Sequence, residues 1–139
     1  RKIQTEESRL AIRGLINAAE NVLEEHKTEP VQHVNHFADG LYARELTMPA
    51  GLILTSKIHK TNHFAFILKG KAEVIDENSG AELIEAPCMI KTLAGTKRIL
   101  RILEECTWVT VHATEETDVD IIEEQIISKN HLNTLEVQS

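Results

Sequence analysis

Two histidines four residues apart, His59 and His63, are the residues whose type and spacing most directly suggest chemistry in this sequence. A neutral imidazole is the commonest metal ligand among side chains, so two rings that reach one ion would begin a metal site. Whether they reach one ion depends on the backbone that carries them. A helix, a straight strand and a bent chain place the two rings differently.

On an α-helix the two rings would share a face, which is the arrangement of the HExxH zinc proteases. Position 60 is Lys, so the catalytic glutamate of that motif is missing, and the preceding GLILTSKI favours a strand. On a straight strand the rings would lie roughly 13 Å apart, at about 3.3 Å per residue, which is too far for one ion. A bend at residues 60–62 removes this difficulty, because His59 then ends one strand, His63 begins the next and both face one cavity.

Two imidazoles make a weak metal site, since protein metal centres usually have three or four protein ligands. The candidates for a third ligand are His36, Glu45 and His112. His112 belongs to TWVTVHAT, whose alternation predicts a strand, although the pattern does not say which face is inward. Glu45 follows Arg44 in another predicted strand, so one of these two side chains points inward.

The metal candidates lie in a region of short strands between two helices. From residue 31 to residue 113, runs rich in Val, Ile, Leu, Thr and Phe alternate with turn-forming residues, as in antiparallel sandwiches and barrels. The clearest hairpin is KAEVIDENSGAELIEAP, with DENSG as its loop. Apolar residues recur at helical spacing before this region and again in DVDIIEEQII, where Thr117 or Asp118 is the N-cap. We predict a single domain with three parts: an N-terminal helix and linker (1–30), a β-barrel (31–113), and a C-terminal helix and tail (114–139).

The composition argues against several classes of function. A chain of 139 residues that is 42% hydrophobic can bury one core, and 27% charged residues is ordinary for a soluble surface. The net charge of -7 argues against a broad nucleic-acid surface and against binding to anionic membranes. The sequence has no 18-residue apolar run and no signal-peptide pattern. We therefore expect a cytoplasmic protein with neither nucleic acid nor membrane as a partner.

The segment around the histidine pair resembles the first motif of the cupins. That motif has a Pro-Gly pair at its start, then His-x-His, a glutamate and a closing glycine; here MPAG and Gly70 supply the two ends. Counted back from Gly70, His63 takes the position of the glutamate and His59 that of the second histidine. Lys57 stands where the first histidine belongs. The stretch HFADGLYARELTMPAGLILTSKIHKTNH is also similar to short cupin-like proteins of bacteriophage and prophage genomes.

The second cupin motif is similar to IEAPCMIKTLAGTKRI, where Arg98, or Lys97 in the neighbouring register, replaces a histidine. The resemblance covers residues 36–112. It implies a mainly β fold, the cupin-like double-stranded β-helix or jelly-roll barrel, here with an amphipathic helix at each end. It also implies a cavity for a divalent metal ion (Fe, Mn, Ni or Zn) and a small molecule. Dimers are common in the family, and the apolar faces of the two helices could pack between subunits, so we expect a homodimer.

Lys57 and Arg98 place cations where the cupins have neutral imidazoles. Buried cations are costly unless paired, so we expect internal carboxylates such as Glu45 or an anionic small molecule in the cavity. An arginine can bind a carboxylate or a phosphate through two parallel hydrogen bonds. Tyr42 and Arg44 are further candidates for the wall that binds this molecule. Three functions stay open: metal-dependent catalysis, non-catalytic binding of a small molecule, and assembly of subunits without a metal.

Overall fold

The computed structural model describes residues 5–25, 31–56 and 58–127. Within these ranges the chain forms two helices and seven strands. In chain order they are α1 (Glu6–Glu25), β1 (Gln32–Ala38), β2 (Leu41–Met48), β3 (Ile53–Thr55), β4 (His63–Asp76), β5 (Gly80–Glu85), β6 (Cys88–Thr92), β7 (Arg98–Ala113) and α2 (Val119–Ile126). The predicted mainly β architecture with a helix at each end is confirmed. No described helix is both long enough and apolar enough to cross a membrane.

The described strands form one antiparallel sheet in the order β1-β2-β7-β4-β5, with β3 paired to β7 and β6 paired to β4. The long strand β7 organises this sheet. One edge of β7 pairs first with β3 and then with β2, and its other edge pairs with β4 along nearly its whole length. Because β4 and β7 each serve several partners, the sheet can curl around one interior.

The pairing of β4 with β7 is irregular around Gly70. The register of β4 against β7 shifts several times between residues 67 and 72 of β4. Gly70 has a φ of 95°, and a Cβ atom there would lie 2.2 Å from the carbonyl oxygen of Glu105. Only glycine fits this close approach without moving the backbone of β7. The first part of β4 consequently pairs with β6 and the second part with β5.

Local predictions of hairpin and cap agree with the structure. Strands β4 and β5 form the predicted hairpin, which closes at the pair Asp76–Gly80. Asp118 is the N-cap of α2, and its side chain accepts a hydrogen bond of 3.0 Å from the backbone N–H of Asp120. Both features depend on neighbouring residues alone, which is why the sequence predicts them.

The interior of the curled sheet is apolar. Its buried residues come from four strands, β2, β4, β5 and β7: Met48, Ala65, Ile67, Ala72, Val74, Ile84, Leu100, Ile102, Cys106 and Trp108. A second, smaller cluster forms where Ile122 and Ile126 of α2 pack on Tyr42 of β2. Because these apolar residues of α2 are covered within the same chain, they do not support the predicted homodimer, which stays a prediction.

Candidate metal centre

Three histidines meet inside the curled sheet: His59, His63 and His112. One ring nitrogen from each lies within 4.8 Å of the other two. The ring centroids are 4.3 Å apart for His59 and His63, 4.6 Å for His63 and His112, and 5.3 Å for His59 and His112. His63 and His112 are buried and His59 is half-buried. The structure therefore brings the predicted histidine pair together with one of the three predicted third ligands.

The pairing of β4 with β7 places His63 beside His112. Phe64 lies opposite Val111 in this antiparallel pair, so the next facing pair consists of His63 and His112. Side chains alternate between the two faces of a strand, and the buried Ala65 and Trp108 show that the two histidines point inward. The sequence pattern of β7 contains this alternation, but only the pairing with its neighbours decides which face is inside.

His59 reaches the cluster from the connection between β3 and β4. The prediction that His59 ends a strand was wrong, because β3 ends at Thr55; the bend after His59 and the strand that begins at His63 are as predicted. His59 instead forms an isolated antiparallel bridge with Ile127, at the end of α2. The backbone N–H of Lys60 donates to the carbonyl oxygen of Ile126 at 2.6 Å. The end of α2 thus supplies the backbone partner that a strand would otherwise provide.

Burial keeps two of the rings neutral. Burial lowers the pKa of His63, and the charge of Arg98 lowers it further, whereas a 3.3 Å hydrogen bond from Nδ1 to the carbonyl oxygen of Thr61 opposes the shift. The pKa of His112 falls to about 4, first because of burial and then because of His63 and Arg44. A neutral imidazole has a free lone pair, so both rings can serve as metal ligands near neutral pH.

A metal ion fits the polar atoms that this site leaves without partners. The Nε2 atom of His63 and the Nδ1 atom of His112 are buried and have no hydrogen-bond partner in the described part of the chain. Such atoms cost roughly 1–3 kcal/mol each unless something binds them. Ligand nitrogens of a tetrahedral site lie about 3.3 Å apart, so the rings would need to approach by up to about 1.5 Å. A set of three imidazoles without a carboxylate favours Zn, Fe or Ni over Mn.

The centre lies on the wall of a cavity of about 390 Å³. His59 and His63 line this cavity, so a molecule inside it can reach the centre. The apolar part of the wall is formed by Val31, Leu46, Met48, Leu54, Leu100, Trp108 and Ile127. The polar part of the wall is formed by His33, Arg44, Thr55, Ser56, Arg98 and Thr110, besides the two histidines. A volume of this size is within the range of small-molecule sites, roughly 300–1,000 Å³.

The other two predicted third ligands lie on the outer face of the sheet. His36 and Glu45 bond to each other, with Nε2 and Oε1 2.9 Å apart, and half of the His36 side chain is exposed. Arg44 lines the cavity, so its neighbour Glu45 points outward. The structure therefore does not bring His36 and Glu45 to the three-histidine cluster. Their mutual bond could not be predicted without the register of β1 against β2.

The residues predicted to bind a small molecule divide into three groups. Arg98 and Arg44 line the cavity, and the Nη1 atom of Arg44 is paired with Glu123 at 3.3 Å. Tyr42 is buried behind the cluster, where its ring stacks on His112 and its hydroxyl donates to Asn35 at 2.6 Å. Lys57 lies outside the described residues.

Lys97, the alternative to Arg98 in the second motif, faces a different part of the molecule. Its Nζ atom donates to Asn17 at 2.7 Å and to Glu20 at 2.6 Å, both on α1. The register with Arg98 in the cavity is therefore the one that the structure adopts.

No protein-family model matches this chain, and no curated protein is significantly similar to it in sequence. Several solved structures share its fold. Ectoine synthase from P. lautus matches with a TM-score of 0.58 and 14% identity, over 71% of this chain and 75% of that chain. KdgF from Halomonas sp. matches with a TM-score of 0.54 and 14% identity, over 68% and 89% of the two chains.

A protein of the cupin superfamily from Desulfitobacterium hafniense has a TM-score of 0.51 and 9% identity, over 63% of this chain and 80% of its own. This chain has the cupin fold. The predicted double-stranded β-helix is thereby confirmed. At such low identities the likeness concerns the fold alone, and the similarity to phage and prophage cupins stays a prediction.

Proposed function

We propose that this cupin-fold protein binds one divalent metal ion through His59, His63 and His112, next to a cavity that holds a small molecule. The observation that carries the proposal is the pair of buried ring nitrogens, on His63 and His112, without hydrogen-bond partners among the described residues. One ring nitrogen of each of the three histidines lies within 4.8 Å of the other two, so one ion bound between the rings would give the buried nitrogens a partner.

Three protein ligands leave coordination positions open, as in catalytic rather than structural metal sites. A bound ion would polarise a carbonyl group or activate water or dioxygen. The chain's own contribution is to hold the ligand rings and to exclude water. The Thr61 carbonyl fixes the tautomer of His63, so that Nε2 carries the lone pair. Leu46, Met48 and Trp108 form an apolar wall, which keeps the effective dielectric low around a bound molecule.

A non-catalytic binding protein is the second candidate. Among the described residues that line the cavity there is no carboxylate. Proton transfer would depend on His33, on hydroxyl groups or on water bound to the metal. This composition favours a protein that sequesters or senses its ligand. Assembly without a metal, the third function left open by the sequence, has less support because the interior contains a cavity rather than a filled core.

Metal loading tests the proposed function directly. We expect chelator-treated protein to take up about one equivalent of Zn²⁺ after dialysis, measured by elemental analysis. His63→Ala should retain little Zn²⁺, because a buried ligand is lost. His36→Ala is the matched control, since it removes an exposed histidine on the outer face. Equal Zn²⁺ content in His63→Ala and the unmodified protein, or no uptake by either, would overturn the proposal.

A further inference from the structure

Two arginines of the cavity wall, Arg44 and Arg98, each have a buried Nε atom without a hydrogen-bond partner among the described residues. The charge of Arg44 is paired with Glu123 through Nη1 at 3.3 Å, which leaves Arg98 as the stronger candidate for binding a ligand. Arg98 is the first residue of β7, lines the cavity and is 7% exposed. Its Nη2 atom donates to the hydroxyl of Thr92 at 3.0 Å, but its Nε atom is buried and has no hydrogen-bond partner in the described ranges. A buried guanidinium with an unused N–H is costly for a folded protein unless a ligand accepts from it.

The charge of Arg98 also lacks a direct partner. None of the ion pairs between described residues includes Arg98. Burial lowers the pKa of Arg98, and the charges of Asp76 and Glu82, which share with it the wall of a second, narrow pocket, partly oppose this shift. A guanidinium stays protonated in proteins, so Arg98 brings a positive charge to the cavity wall.

The residues around Arg98 indicate what kind of ligand body the cavity can accept. The guanidinium lies over the ring of Trp108, 6.0 Å from its centre, which is the outer limit of a cation–π contact. Most of the remaining wall is apolar, including Met48, Leu54 and Leu100. An acid group can therefore bind Arg98, since the other arginine of the wall, Arg44, is already paired with Glu123, and the body of the molecule contacts aliphatic and aromatic side chains.

Arg98 is also close to the three-histidine centre. Its partner Thr92 is the residue of β6 that faces His63 in the pairing of β4 with β6. A carboxylate on Arg98 would therefore lie beside His63. A second polar group of the same molecule could then reach the centre while the apolar body fills the cavity.

We infer that the cavity binds a small carboxylic acid with an apolar body, and that Arg98 binds the carboxylate. This inference rests on the proposed function, because it names the class of molecule held next to the metal centre. A planar carboxylate matches the fork of Nε and Nη2, and Arg98 can offer two parallel hydrogen bonds if Nη2 shifts from Thr92 or shares its protons.

Calorimetric titration of octanoate into metal-free protein tests the inference. Octanamide is the neutral control of the same shape. Loss of a charge-assisted hydrogen bond should weaken binding roughly ten- to a hundredfold, so octanamide should bind that much more weakly than octanoate. Arg98→Gln should lose this preference. Arg101→Gln, an exposed arginine on the same strand that pairs with Glu73 at 3.6 Å, should keep it.

Three results would overturn the inference: octanoate and octanamide bind equally, octanoate does not bind at all, or Arg98→Gln keeps the preference for octanoate. Arg98→Lys provides a second variant if Arg98→Gln does not fold, and it should show a smaller preference because an ammonium lacks the planar fork. Fluorescence of Trp108, the only tryptophan, should change with octanoate and so place it in this cavity.

The metal-free design separates this inference from the proposed function. Because the titration contains no metal ion, a preference for octanoate over octanamide reports the contact of the carboxylate with Arg98 rather than with a bound metal. If Zn²⁺ binds but octanoate does not, only the carboxylate inference fails. If octanoate binds with the expected preference and Zn²⁺ does not bind, only the metal proposal fails.

Discussion

The two helices attach to the same sheet by different contacts. Helix α1 buries Ile16 but also buries charges: both side chains in the pair Arg13–Glu77 are almost fully buried, and the Nζ atom of Lys97 lies 2.6 Å from Glu20. Helix α2 is held by apolar side chains, because Ile122 and Ile126 are buried against Tyr42. A buried charge pair fixes a helix in one orientation, but much of its attraction only compensates for the cost of removing the two charges from water. Apolar side chains stabilise a contact by burial alone and need no oppositely charged partner.

Both attachments meet at the backbone of His59. From the α1 side, Arg13 donates to the carbonyl oxygen of Gly95, whose N–H donates to the carbonyl oxygen of His59 at 2.9 Å. From the α2 side, Ile127 forms the bridge with His59. A histidine in an irregular connection needs such support, since no strand ladder fixes it. Both helices therefore help to position a candidate metal ligand as well as cover the sheet.

The largest expected loss of stability comes from removing one of the buried charges under α1. Glu77→Gln would leave Arg13 buried without its counter-charge, and we expect the free energy of unfolding to fall by roughly 3–5 kcal/mol. Urea denaturation measures this loss. Glu73→Gln is the control, because its pair with Arg101 is exposed and should contribute at most about 1 kcal/mol. Similar losses in the two variants would show that α1 is not held by its buried charges.

Replacing the buried charge pair by apolar residues tests the same attachment of α1 in a second way. The double variant Arg13→Met with Glu77→Leu gives α1 the kind of contact that α2 has, and we expect it to recover at least half of the stability lost in Glu77→Gln. A double variant as unstable as the single one would mean that the hydrogen bonds of Glu77 to Lys97 N–H and of Arg13 to Gly95 are indispensable.

The contacts under α2 should give the next largest effect. Ile122→Ala removes a fully buried side chain and should cost about 2–4 kcal/mol. It should also weaken Zn²⁺ binding, because the end of α2 holds His59. Ile121→Ala is the matched control, since Ile121 is the preceding residue and is 41% exposed. Urea denaturation and Zn²⁺ titration check the two effects; equal losses for both variants would contradict the packing described here.

The pH dependence of stability distinguishes buried histidines of the interior from exposed histidines of the outer face. The folded pKa of His112 is about 4, below the ordinary 6.5, so between these pH values the unfolded chain binds a proton that the folded chain does not. The unfolding free energy of metal-free protein should therefore fall as the pH drops from 6.5 to 4, by up to about 3 kcal/mol from this residue. His63, whose pKa is also lowered, adds to this fall.

His112→Gln should reduce this slope, measured by urea denaturation at several pH values. His36→Gln, on the outer face, should leave it unchanged. A slope that is the same in all three proteins would mean that His112 is not buried in its neutral form.

The smallest expected effect compares the two helix caps. Asp118→Ala removes the side chain that caps α2 and should cost about 1 kcal/mol. Thr5→Ala removes the hydroxyl that accepts from Ser8 N–H at the start of α1, and it should cost less, because fraying there does not reach Arg13. Thermal unfolding measures both. A larger loss of stability for Thr5→Ala than for Asp118→Ala would contradict the expectation that the cap of α2 contributes more than the cap of α1.

The sequence predicted those features that depend on local pattern. The bend before His63, the β4–β5 hairpin and the Asp118 cap each follow from a few adjacent residues. The choice of His112 over His36 and Glu45 depends on which strand faces pair inward, and that is set by the long-range pairing of β7. The contact of Arg13 with Glu77 joins residues 64 positions apart, so no local pattern indicates it.

The bridge between His59 and Ile127 is a further contact that the sequence does not predict. Helical periodicity identifies α2 and its apolar face, but it does not identify the loop on which the helix ends. The role of α2 in positioning a candidate ligand therefore becomes visible only once the chain is folded.

The most direct test of the central claim is anomalous diffraction from crystals of the Zn²⁺-loaded protein. We predict one strong peak inside the curled sheet, with one ring nitrogen of His59, of His63 and of His112 each about 2.0–2.1 Å away. A peak between His36 and Glu45 on the outer face, or no ordered ion near His63 and His112, would contradict the account.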